Sequence, residues 1–351
     1  MTGTILIYGA NGYTGKLIAR MAHERGQTPI LAGRNADKVK AVAEPVGLAW
    51  RAFDLSDPER LDAALQDVAV VLCVAGPFSA TSRPMADACI RQRVHYVDIT
   101  GELDVFEALA ARDMEAKAAG VMLLPGVGFD VVPSDCVAAH LKRRLPDAVD
   151  LTIFLSGSGS ISRGTARTMI EGVAAGTRVR RDGRLVALDR AVSGTCDFGQ
   201  GPRSTVAIPM ADVSTAFRST GIGNITVHIE APALLQPFLQ PPGIVKSLLG
   251  LKLVQNLLKF QIGFLPEGPD DAARRSGHAV VVGVARNAKG ETVRCRLRTP
   301  EAYTLTAMTA LDIAGRVAAS EFKPGFQTPS LAFGADYILG FEGVTREELN
   351  A

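Results

Sequence analysis

The chain has 351 residues, of which 47% are hydrophobic and 21% charged, and its 38 Lys and Arg against 36 Asp and Glu leave a net charge of +2. That balance, with no run rich in Lys or Arg, argues against a nucleic-acid surface. No uncharged apolar stretch reaches the ~18 residues of a spanning helix, so no membrane span is indicated. The five cysteines, at 73, 89, 136, 196 and 295, include no C-x-x-C pair. They read as reduced thiols, and with a first strand that begins almost at once they set the expectation of a cytoplasmic protein.

The first element is an apolar run, Ile5-Leu6-Ile7-Tyr8, feeding into Gly9-Ala10-Asn11-Gly12-Tyr13-Thr14-Gly15 and then a helical pattern from Lys16 to about Arg25. Strand, glycine turn and helix start in this order make a dinucleotide-binding unit. Gly9 suits the tight turn, Gly12 lets backbone approach a pyrophosphate, and Gly15 permits close helix–strand packing. The spacing is G-x-x-G-x-x-G, with the middle glycine one residue later than in the commonest fingerprint. First-turn amides around Tyr13 to Gly15 would face the anion at the positive end of the helix dipole. The next strand, Thr28 to Ala32, ends in Gly33-Arg34-Asn35, where an NAD-binding unit would place an acid. Arg34, with Lys38 one turn on, suits the 2′-phosphate of NADP instead, since a guanidinium can hold it through two charge-assisted bonds. NADP(H) is therefore expected over NAD(H).

Strand and helix signals continue to alternate: a strand over Ala49 to Phe53 ending at Asp54, a helix from Asp57 to Leu65, and a strand over Val68 to Ala75 leading into Gly76-Pro77. A helix over Met85 to Gln92, a strand at His95 to Ile99, a long helix from Leu103 to Ala119 and a sixth strand at Val121 to Leu124 follow. Near-continuous apolar strands separated by helices predict a parallel sheet covered on both faces, with ligands beyond the strand C-termini. Beyond about Leu145, alternating strands with Gly- and Pro-rich turns, and a helix at Gly164 to Ala175, predict a mixed second domain. A helix from Glu301 through Arg316 precedes a Phe-rich tail. The predicted class is thus α/β, a Rossmann-like doubly wound parallel sheet with an inserted α+β domain. The expected division is 1–135 for the nucleotide domain, 136–300 for a substrate or dimerisation domain, and 301–351 for a C-terminal helix and tail.

The pieces GANGYTGKLIAR, LAGRN, CVAGPF, HYVDITGE, PGVGFDVVPSD, SRGTARTM and PEGPDDAARRSG, in this order, resemble the saccharopine dehydrogenase-like oxidoreductases, a group that includes saccharopine reductases and trans-acting enoyl reductases. The resemblance implies an NAD(P)-linked reaction, often in a dimer, and a C-terminal segment that returns to the first domain. It implies that Gly9, Gly12, Tyr13, Thr14 and Gly15, with Asn11 in the same loop, hold the pyrophosphate, and Arg34 the 2′-phosphate. It places Asp54 beside the adenine, and Ala75, Gly76 and Pro77 past the nicotinamide-side ribose. Asp98, Thr100 and Glu102 would lie further along that rim.

For the chemistry itself, none of the five tyrosines is followed four residues later by lysine, which disfavours the short-chain dehydrogenase arrangement. Asp130, after a Gly-rich turn, is a candidate for the cleft, and Glu102 for a proton relay, although a charge at a helix start is equally inexpensive. Ser134 or Asp135 reads more simply as a helix cap. Thr165 and Arg167 are candidates for a substrate anion site, with capping as the plain alternative. The histidines show no metal-ligand spacing, and no metal is expected. Ile244 to Leu265, dense in Leu, Ile and Phe, reads as a buried or subunit-interface helix, a lid, or a peripheral membrane contact. The expected partner is an apolar small molecule, with hydride passing to or from a C=C or C=N bond. Two alternatives stay open. One is a non-catalytic NADP(H) sensor or lipid-associated interaction protein; the other is a saccharopine-type dehydrogenase using Arg163, Arg167, Arg178, Arg180 and Arg181 for substrate carboxylates.

Overall fold

The computed structural model describes residues 3–157, 161–173, 176–188, 192–231, 251–264 and 266–350. The chain divides into two units, Met1–Val132 with Tyr303–Ala332, and Pro133–Ala302 with Phe333–Ala351. In the first, β1 (Ile5–Tyr8), β2 (Ile30–Gly33), β3 (Trp50–Ala52), β4 (Val70–Cys73), β5 (His95–Asp98) and β6 (Met122–Leu124) alternate with α1 (Tyr13–Glu24), α2 (Ala36–Ala43), α3 (Pro58–Ala64), α4 (Phe78–Gln92), α5 (Leu103–Ala110) and α6 (Asp113–Ala119). All pairings are parallel, and the order β6-β5-β4-β1-β2-β3 reverses direction at β1/β4. The central strands are apolar without interruption because helices cover both faces: Leu6, Ile7, Val70, Val71 and Leu72 are all buried.

Two helices differ from the sequence expectation. α4 begins at Phe78, well before Met85, and carries Pro84 in its interior. Buried Phe78 and Ser82 anchor that first half, so tertiary packing outweighs the amide that proline removes. The expected single helix over Leu103 to Ala119 is broken at Arg112, which leaves the helical conformation and pairs with Asp87 and Glu115.

The second unit begins with α7 (Val132–Arg144) and β7 (Ala148–Gly157), followed by α8 (Arg163–Val173), β8 (Arg178–Arg181), β9 (Arg184–Ala187), β10 (Ser193–Asp197) and β11 (Pro202–Ala207). Then come α9 (Asp212–Thr220), β12 (Asn224–Glu230), α10 (Lys252–Ile262), α11 (Asp271–Ser276), β13 (His278–Asn287) and β14 (Thr292–Pro300). The sheet is mixed: β12 runs parallel to β7, while β13 is antiparallel to both β7 and β14. α7 lies directly on β13, where a Cβ on Gly283 would come within 2.4 Å of Val137.

The C-terminal segment splits between the units. α12 (Ala302–Ala318) and β15 (Gly325–Phe326) join the first, with β15 adding a seventh parallel strand beside β6. The tail does not return there as expected. After α13 (Pro329–Phe333), β16 (Thr345–Leu349) pairs antiparallel with β14 in the second unit. Charge and hydrogen bonding fix it there: Arg296 holds Glu347, Arg144 pairs with Glu348 while the His140 ring is hydrogen-bonded to the same carboxylate, and Asp336 is gripped by Arg143 and Arg346.

Of the apolar segment Ile244 to Leu265, residues 244–250 and 265 lie outside the described residues. The remainder forms α10, which packs on α8 and exposes Leu257, Phe260 and the following Phe264. No helix among the described residues is long and apolar enough to cross a membrane. All five cysteines are buried free thiols.

Candidate NADP-binding site

The glycine loop is built as its residue types require. Gly9 sits at φ +96°, and a Cβ there would meet the backbone of Ala75 at 2.8 Å. A Cβ on Gly15 would lie 2.5 Å from the Gly9 carbonyl oxygen and 2.7 Å from the Ala10 Cα, so α1 rests on the loop with no space for a side chain. Gly12 is the N-cap of α1; it provides no side-chain cap, and the first turn carries no acid. The neighbouring helix starts are closed by their own sequence: Asn35 accepts from the Lys38 amide on α2, and Asp57 from the Arg60 amide on α3. α1 therefore presents its positive end without a built-in anion, which suits a pyrophosphate. Asn11 reaches β2, its Oδ1 lying where a Cβ on Gly33 would meet it at 3.0 Å.

At the end of β2, Arg34 and Lys38 are exposed, and among the described residues neither forms an ion pair. Asp54, exposed at the end of β3, accepts from the Ser56 amide and hydroxyl, which hold its carboxyl below the usual range, with Arg34 adding a smaller effect. Among the described residues, two cations without an ion pair and a pre-set carboxylate thus stand just beyond β2 and β3.

The other end is formed by the loops after β4, β5 and β6. Ala75 and Pro77 accept from the Thr81 hydroxyl at 2.6 and 3.3 Å. Glu102, a candidate for a proton relay or a helix-start charge, closes α4: its two carboxyl oxygens accept the Phe78 and Ser79 amides, both at 2.8 Å. Asp98 is fully buried beneath the rim rather than on it. Its carboxyl accepts from the Tyr96 hydroxyl at 2.6 Å, the Thr100 amide at 2.9 Å and the Gly126 amide at 3.0 Å, tying the β5 and β6 loops together. Desolvation raises it to about 6 against those three bonds.

Asp130 comes from the β6 loop and lies against the β5 loop, where a Cβ on Gly101 would fall 2.8 Å from its Oδ2. The residue as a whole is exposed, but the carboxyl packs on Gly101, and desolvation pushes it up to about 6. The loop itself is braced by α12: the Thr306 hydroxyl accepts the Phe129 amide at 3.0 Å, and the Thr309 hydroxyl donates to the Val127 carbonyl at 2.7 Å. No local pattern announced Tyr303 or Thr306, whose neighbours are distant in sequence.

The remaining candidates are in the second unit. Thr165 is taken up by the helix start, its amide and hydroxyl both engaging the Ser162 hydroxyl, at 3.2 and 3.1 Å. Arg167 is exposed on α8. Asp135 accepts from the Ser219 hydroxyl at 2.7 Å and so joins α7 to α9. Arg180 is buried under the Val213 and Gly183 carbonyls and stacks on Phe217. His228 faces Thr205 and Phe154, and His140 faces Glu348. No cluster of metal-ligating side chains occurs among the described residues.

A doubly wound sheet with a glycine-lined helix start, at the strand C-termini beside the point where strand order reverses, defines a dinucleotide-binding domain. Residues 5–124, which carry β1 to β6, match the family model described as the saccharopine dehydrogenase NADP binding domain. The chain is 35% identical over 149 residues to a trans-acting enoyl reductase of Mycobacterium leprae, covering 40% of this chain and 36% of that protein. It is 32% identical over 148 residues to a trans-acting enoyl reductase of Mycobacterium tuberculosis, covering 40% and 35%. It thus spans less than half the length of these curated relatives. In fold, it is similar to apo saccharopine dehydrogenase (L-Glu forming) from Saccharomyces cerevisiae, with a TM-score of 0.65, 14% identity, and 99% and 100% of the two chains covered.

Proposed function

We propose that the protein is an NADP(H)-dependent oxidoreductase that passes hydride to or from a C=C bond of an apolar substrate, with a C=N bond as the next choice. The observation that carries the cofactor half is the acid-free start of α1 over Gly9, Gly12 and Gly15, without a side-chain cap, with Arg34 and Lys38 beyond β2 forming no ion pair among the described residues. When bound, NADP(H) supplies the hydride. The chain supplies the rest. The α1 amides hold the pyrophosphate, and Arg34 and Lys38 hold the 2′-phosphate. Asp130, raised to about 6, carries a proton on its carboxyl at neutral pH often enough to exchange it with substrate. The C=C preference draws on the enoyl reductase names of the partial relatives.

A saccharopine-type substrate is less well supported, because Arg180, one of five arginines available for its carboxylates, is consumed by backbone carbonyls and Phe217. The test is a titration with NADPH and NADH followed by nicotinamide fluorescence, then NADPH oxidation with α,β-unsaturated thioesters and with imines. NADPH-selective binding with turnover of a thioester is the expected result. Binding without turnover across both panels would favour a sensor, and no binding of either cofactor would overturn the proposal.

A further inference from the structure

The family match ends at residue 124, yet the first unit contains α12, which follows residues 133–301 of the second unit in the chain. The first turns of α12 touch two parts of the cofactor site, the start of α1 and the loop after β6. Tyr303 meets Tyr13 edge to face, with centroids 5.1 Å apart and ring planes at 89°. Tyr13 is the first residue of α1, immediately after the Gly12 cap. One helical turn on, Thr306 accepts the Phe129 amide, and a Cβ on Gly128 would lie 2.8 Å from its Cγ2. Positions three apart share a helix face. A single face of α12 therefore holds the glycine loop through Tyr303 and the Asp130 loop through Thr306.

We propose that Tyr303 is a positioning residue for the cofactor, acting through Tyr13 to fix the first turn of α1 against the pyrophosphate. The inference rests on the NADP(H) reading above and deepens it: the cofactor site is completed by a helix outside the segment that the family model recognises. The contact with Tyr13 is between rings, and a phenylalanine at 303 keeps it. Because Tyr13 stands at the pyrophosphate end, the effect is blind to the 2′-phosphate, unlike that of Arg34.

The experiment titrates the full chain and its Tyr303→Phe and Tyr303→Ala variants with NADPH, NADH and 2′-phospho-ADP-ribose, which keeps the pyrophosphate and lacks the nicotinamide. Cofactors are followed by nicotinamide fluorescence and the fragment by calorimetry. Tyr303→Ala should bind all three about threefold to tenfold more weakly, the range spanned by an edge-to-face aromatic pair, and Tyr303→Phe should restore wild-type binding. If Tyr303→Ala fails to fold, Tyr303→Leu, which keeps apolar volume without an aromatic edge, carries the same expectation. Affinities within about twofold of wild type in the folded variant, a loss confined to NADPH, or a Phe variant as weak as Ala would each overturn the proposal. A wild-type chain that binds neither cofactor would instead overturn the NADP(H) reading, and this inference with it.

Discussion

Arg34→Ala separates a 2′-phosphate ligand from a surface arginine. Among the described residues, Arg34 forms no ion pair, and its recorded influence on the protein is a weak field at Asp54 and Tyr8. Removing it breaks no bond among the described residues, so folding stability should stay within about 0.5 kcal/mol of wild type. A hydrogen bond to a charged group contributes about 1.5–3 kcal/mol. The exposed position of Arg34 brings solvent screening and puts the expectation at the lower end, about 1.5 kcal/mol. That corresponds to about tenfold weaker NADPH binding, with NADH unchanged within about twofold. Lys38→Ala should produce a smaller loss of the same selectivity, because an ammonium offers a point charge and not a planar fork. Paired fluorescence titrations with the two cofactors measure the ratio directly. Equal losses for NADPH and NADH, or no loss for NADPH, would refute the assignment of Arg34 to the phosphate.

Three further outcomes are expected. Glu102→Ala strips the cap from α4 and should lower stability by about 0.5–2 kcal/mol in urea denaturation, whereas Glu102→Gln, which keeps one acceptor oxygen, should lose less; equal stability of all three proteins would show that the cap contributes nothing. The Asp98 carboxyl, at about 6 in the fold against 3.8 for the unperturbed group, favours the folded state most at low pH. Its contribution is complete below the unperturbed value and disappears as pH rises through about 6, so wild-type stability should decline across that window. Asp98→Asn retains an oxygen acceptor for the Thr100 and Gly126 amides and should flatten the decline, as read from urea midpoints at several pH values; an unchanged slope would refute this account. Finally, if Asp130 donates the proton in the reductive direction, turnover should fall as pH rises above about 6, and Asp130→Asn should be slower and lack that limb in its kcat profile.

What could be read from the sequence and what could not divides along one physical line. Gly9 and Gly15 were legible because a Cβ at either position would strike backbone within a few residues or on the adjacent strand, so the constraint appears as residue type at a fixed spacing. Arg34 was legible as a position, since it directly follows β2 and stands exposed there. Glu102 was singled out, but its role was not readable, since a carboxylate caps whichever amides the tertiary fold brings to it; here those of Phe78 and Ser79 belong to another βα unit. The same holds for Asp98, whose third partner is Gly126, and for β16, whose glutamates are placed by arginines and a histidine on β14 and α7. Tyr303 is the extreme case: nothing local distinguishes it, and only the return of α12 to the first unit sets its ring on Tyr13. Residues whose job is to shape the backbone declare themselves in sequence, whereas those whose job is to tie one loop to another become visible only once the chain has closed on itself.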